Sequence, residues 1–280
     1  MGVLRFPMNR WIGLGLSALL MTTFSLGCSN AFKELAKTDS DAALLFEARK
    51  QMNDARWDEA ITLMNRMSAT ARAERSTKAV MASAYAGRCG LDLIRLAERL
   101  ANSSGQNFLS LLLYTFRASS GTSIADCQQA ETLLLSISSD PAVRTADENV
   151  MLAFIDFSKV GAILATYADT DGDGTAEPTF DSCNTAHLPD AMLREIGTGL
   201  TLAVGALSAS GGSIGSALST SVTSACSALA GINPSYDFCS ITTPSGFSAS
   251  QVKALGGIVK TTDNPGLGTC AGSISACVCP

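Results

Sequence analysis

Asp169, Asp171 and Asp173 alternate with Thr170 and Gly172, Gly174 follows, and Glu177 and Asp181 stand close behind. Carboxylates at this spacing, on backbone that glycine lets wrap tightly, can converge several hard oxygen donors on one cation, which is what calcium requires. The expected metal ligands are Asp169, Asp171, Asp173, Glu177 and Asp181, and the expected role is a structural brace; the competing reading is a solvated acidic turn. Other chemistry is sparse. With His187 the only histidine, most serine and cysteine triads are excluded. Ser250 and Lys253 share a helical turn but lack the motifs that accompany such a pair in enzymes. No phosphate-binding glycine loop follows a strand. The expectation is a non-enzymatic protein with no catalytic residues.

The acidic stretch resembles the loops of EF-hand, dockerin and thrombospondin type 3 proteins. Asp169, Asp171, Asp173 and Gly174 match positions one, three, five and six of such a loop. Phe180 takes the twelfth position, where a bidentate glutamate belongs, and Asp181 arrives one residue late. Pro178 also precedes any second helix.

Cysteine supplies the other candidate bonds. Apart from Cys28 there are Cys89, Cys127, Cys183, Cys226, Cys239, Cys270, Cys277 and Cys279, an even set that reads as disulfides in an exported chain. Cys277 and Cys279 are too close for a usual zinc knuckle. Eight cysteines allow roughly a hundred pairings. Cys89 and Cys127, both in helical territory, are expected to pair, leaving the other six to staple the C-terminal part.

The elements that must position these groups are helices. Apolar residues recur at three and four positions along Leu44 to Met52, Trp57 to Met67, Lys78 to Ala86 and Leu91 to Leu100. Further helices are expected over Gln106 to Ala118, Thr122 to Ile137 and a long run from Ala142 to Ala168, entered at Ser139-Asp140-Pro141. That run is broad enough in its apolar residues to be buried on more than one side. Residues 196 to 236 carry no charge, and Ala191 to Leu207 and Ile214 to Ile232 read as two small-residue helices, with a last helix over Ser248 to Ile258. The fold class is therefore all-α: antiparallel helical hairpins over residues 40–168, the acidic loop at 169–184, and a small disulfide-rich, mainly helical region at 185–280.

The first four helices repeat at an offset of 34 residues, which places Ala48 on Ala82, Trp57 on Leu91 and Asp58 on Asp92. Trp57-Asp58-Glu59-Ala60-Ile61 resembles the opening of the second helix of a tetratricopeptide repeat. The resemblance implies a solenoid whose concave face holds another protein, with Leu44 and Tyr85 as expected contact residues. At the N-terminus, Arg5 and Arg10 precede an apolar run from Trp11 to Leu26, the layout of an export signal. Ser25-Leu26-Gly27-Cys28 resembles the lipobox of bacterial lipoproteins, although Ser25 stands where leucine is usual. That resemblance implies a signal peptide at 1–27, lipidation at Cys28, a linker at 28–39 and, through Ser29, an outer-membrane address facing periplasm or surface.

Charge narrows the partners. The chain has 20 basic and 25 acidic side chains, and cleavage before Cys28 would remove two arginines and no acid. Nucleic acid is not an expected partner of such a chain. The expected function is a protein-binding scaffold or assembly factor of the cell envelope, anchored to the membrane by its lipid. The alternative is a surface or periplasmic structural module whose calcium-braced, disulfide-rich C-terminal region makes the contacts. A weaker alternative is a membrane-inserting protein using residues 196 to 232.

Overall fold

A computed structural model describes residues 39–102, 106–211, 215–263, 265–271 and 274–280. The export signal, the lipobox with Cys28 and all but the end of the linker lie outside the described residues. Among the described residues the regular structure is helical: twelve α-helices, two short 3-10 turns and one isolated bridge between Thr261 and Cys270.

The N-terminal layer is a hairpin of α1 (Asp41–Asn53) and α2 (Trp57–Asn65), followed by the short α3 (Ala69–Ala73) and by α4 (Arg75–Cys89). Ser40 starts α1 by accepting the Ala43 N–H at 3.3 Å, satisfying one of the free donors at the helix end. Leu44, Ala48, Ala60, Ile61, Met64 and Met81 close a small core between α1, α2 and α4. The helix α4 runs through Gly87, where the sequence pattern implies a break, and the glycine there makes room for the indole of Trp57: a Cβ on Gly87 would come within 2.6 Å of it. The turn is delayed to Gly90, whose φ of 103° lies in the left-handed region.

α5 (Leu93–Ala101) has α6 (Phe108–Thr115) as its neighbour, while the flank of α4 is covered by α7 (Gly121–Leu135). The Cys89–Cys127 disulfide joins α4 to α7, as expected from the sequence. Beside it, Arg88 makes a two-pronged bond to Asp126 at 2.6 and 2.9 Å and reaches Asp58 of α2 at 2.6 Å.

At the centre stands α8 (Ala146–Ala168), packed against α4, α6, α7 and α9 (Asp190–Ser210). Its entry lies later than Asp140-Pro141, which form a turn instead. Thr145 and Glu148 exchange hydrogen bonds across the first helical turn, a capping box that satisfies both helix donors. α8 is the only described helix long and apolar enough to cross a membrane, and most of it is buried inside the protein.

The C-terminal elements are α10 (Gly215–Ile232), α11 (Ala249–Lys260) and α12 (Ile274–Cys277). They wrap α9, and the disulfides Cys183–Cys279, Cys226–Cys239 and Cys270–Cys277 hold them. One large core runs without interruption from Ala82 to Ile274, on both sides of the acidic loop.

Candidate metal centre

The acidic loop leaves the C-terminal end of α8, with Asp169 as the helix C-cap. Backbone carbonyls make this the negative pole of a long helix, and no basic residue occupies its last turn. Gly172 and Gly174, with φ of 77° and 93°, supply the left-handed turns that fold the chain back. The Glu177 N–H then donates to the Ala168 carbonyl at 2.7 Å and closes the loop.

Closure brings oxygens of Asp169, Asp171 and Glu177 within 4.8 Å of one another. Asp169 is only 4% exposed; its Oδ2 accepts the Gly174 N–H at 3.0 Å, and its Oδ1 is buried with no hydrogen-bond partner. Burial raises its pKa above the ordinary value, and the neighbouring Asp171 and Asp173 add to the rise against the Gly174 and Gly172 N–H groups. Glu177 accepts from the Thr170 hydroxyl at 2.6 Å and from the Thr170 and Asp171 N–H groups, and these bonds lower its pKa.

The other two expected ligands point elsewhere. Asp173 Oδ1 accepts the hydroxyl and N–H of Thr175 at 2.6 and 2.7 Å, which lowers its pKa and stiffens the turn. Asp181 Oδ1 accepts the Cys183 N–H at 3.0 Å and pairs with Lys260 at 3.3 Å. Burial would raise Asp181, but those two partners outweigh it and its pKa falls. His187 packs against the Phe180 ring and accepts the Asp181 N–H through Nδ1 at 3.1 Å, which makes it a turn-holding group.

The donors that converge are all carboxylate oxygens, and one buried oxygen lacks any partner. Both features suit a hard divalent cation such as calcium, which takes about six to eight oxygen ligands. A second grouping, Cys226, Asp237 and Cys239, has both sulfurs in one disulfide and is no metal site.

Of the expected protein contacts, Leu44 lies inside the small core, and Tyr85 is half-buried between the two cores beneath Arg88. Two arrangements were not legible beforehand. Lys159, buried on α8, is ringed by Glu131 of α7, Asp156 of α8 and Glu195 of α9. An open apolar groove of ≈ 360 Å³ lies between α4, α5, α7 and α8. A lysine and an aspartate one turn apart inside an apolar run are the only sequence signal for the first. No family model matches the chain, and no curated protein or solved structure matches it either.

Proposed function

We propose that this chain is a non-enzymatic envelope lipoprotein, held by lipid on Cys28, that acts as a protein-binding scaffold. The observation that carries this reading is the groove. Ala79, Leu93, Leu134, Val150 and Met151 line it, with Asp147 and Glu148 from the first turn of α8 beside them. Leu93 is 43% exposed and its neighbour Ile94 74% exposed, an unusual pair of large apolar side chains on a helix already buried through Leu96. Glu148 is engaged by Arg75, whereas Asp147 has no cationic partner among the described residues. The groove therefore suits an amphipathic helix of an envelope protein, with leucine-sized anchors and one basic residue placed for Asp147.

Crosslinking in native envelope membranes tests this. A Leu93→Glu variant is expected to lose one defined envelope partner that the unchanged protein and Phe46→Glu both retain, since Phe46 is exposed on the first hairpin and does not line the groove. Equal recovery by all three would remove the groove from the reading. Loss only with Phe46→Glu would move the contact to α1.

Calcium as a brace is a second proposal, favoured by the partnerless Asp169 Oδ1. The ion would supply positive charge to three crowded carboxylates at the end of α8. Titration calorimetry is expected to show calcium preferred over magnesium, and Asp169→Asn to weaken it by more than about ten-fold. Unchanged affinity in that variant would leave the loop a solvated turn.

A further inference from the structure

Tyr114 of α6 stands 40% exposed with two cations against it: the Arg99 guanidinium of α5 lies 4.7 Å from its ring centroid and that of Arg117 lies 4.8 Å away. Among the described residues neither arginine has a carboxylate within ion-pair distance; what sets the two apart is that both face one tyrosine. Both guanidiniums also hydrogen-bond the Tyr114 phenol oxygen, which brings two positive charges to one point of the surface. Attraction to the ring and hydrogen bonds to its phenol oxygen hold both cations there while they repel each other, and an anion bound to both at that oxygen would offset the repulsion.

The patch is anchored rather than loose. A Cβ on Gly174 would come within 2.4 Å of the Tyr114 ring and 3.4 Å of the Arg117 stem, so the acidic loop fits flat against both. Gly174 is also one wall of a cleft of ≈ 450 Å³ lined by Ser110, Leu113, Thr175, Leu267 and Thr269 without a charged side chain. Thr269 Oγ1 there is buried with no hydrogen-bond partner. Ser110 precedes Tyr114 by one helical turn, which places its hydroxyl on the same side of α6.

The geometry points to a binding site for a small phosphate-bearing ligand, its oxyanion held by Arg99 and Arg117 beside Tyr114 and its uncharged polar body in the adjoining cleft. Guanidinium forks match phosphate oxygens in pairs, and hydroxyls with a leucine floor suit a neutral, partly apolar remainder. A hydrogen bond from Arg117, followed by the charges of Arg117 and Arg99 and a bond from Arg99, holds the Tyr114 pKa below the ordinary tyrosine value.

The test uses the full chain in the presence of a chelator, so that a calcium-bridged phosphate cannot account for binding. Inorganic phosphate, glycerol 3-phosphate and vesicles with and without phosphatidylglycerol are titrated separately. Phosphate and glycerol 3-phosphate are expected to bind, the latter more tightly, with Arg99→Gln or Arg117→Gln weakening each by about ten-fold or more. Phosphate is also expected to return the Tyr114 ultraviolet titration toward the ordinary tyrosine range, an effect absent in Tyr114→Phe. Binding only to phosphatidylglycerol vesicles, lost in the same variants, would assign the oxyanion to a lipid headgroup. Binding that survives the double arginine variant, with unchanged helical circular dichroism, would overturn the site, as would no binding of any probe.

Discussion

Lys159 lies at 0% exposure on α8, where an unpaired ammonium would be prohibitively costly. Burial alone would lower its pKa, but Glu131, Asp156 and Glu195 outweigh burial and raise it. Three carboxylates around one cation leave excess negative charge, and Asp156 absorbs it. Fully buried, with neither oxygen hydrogen-bonded and Glu131 nearby, Asp156 has a pKa raised well above the ordinary 3.8. The folded protein thus holds this proton more tightly than the unfolded chain, so the contribution of Asp156 to stability falls as the pH rises above 3.8. Glu148 runs in the opposite sense. The Arg75 bond, followed by burial opposing it and the Thr145 N–H assisting, holds it at about 2, so it stabilises the fold above the ordinary 4.5 and ceases to do so as the pH falls from 4.5 to about 2. Denaturant melts across pH are expected to show Asp156→Asn flattening the first trend and Glu148→Gln the second. Lys159→Met should cost about 3–5 kcal/mol, because it leaves buried carboxylates without their cation.

Between elements, close approach depends on what side chains are missing. Gly161 of α8 faces α6, and a Cβ there would come within 2.4 Å of the Phe116 ring and 3.0 Å of the Leu112 carbonyl. On the α9 side, Gly199 meets Val160 at 2.9 Å in the same way. Backbone carbonyls yield less than side-chain tips, so Gly161→Ala is expected to destabilise by about 1–3 kcal/mol in urea unfolding. Gly205 of α9 is the contrast: a Cβ there meets nothing within 4 Å, and alanine is expected to stabilise by up to about 1 kcal/mol. Equal effects at both positions would mean that helix propensity, not packing, sets the outcome. The helices themselves were legible as stripes of apolar residues, yet two boundaries moved. α4 continues through Gly87, which packs against Trp57, and turns only at Gly90, and the Thr145–Glu148 box starts α8 after the Asp140-Pro141 turn.

At the scale of the molecule, one core joins the helices before the acidic loop to those after it, and Cys183–Cys279 ties the loop's exit to the chain end across 96 residues. A brace at the loop would therefore act on the whole body. With calcium at about a hundred times its dissociation constant, the melt should gain about 2.7 kcal/mol as a single transition, and at the same calcium concentration the gain should fall to about 1.4 kcal/mol or less in Asp169→Asn. A separate early transition that alone responds to calcium would contradict a shared core. By itself the sequence determined the all-helical class, the positions of most helices and the acidic loop, because each of these depends on local period, turn chemistry or residue type; the Cys89–Cys127 pair, though expected, joins residues 38 apart and was decided by packing. Only the tertiary structure decided that α7 rather than α5 flanks α4, that Leu44 is core, that Asp181 turns to Lys260 while Glu177 joins Asp169, and that Lys159 meets three acids. Those outcomes depend on which stripes face one another across the chain. A local pattern specifies that a stripe is buried; the burial of all stripes together selects the partner.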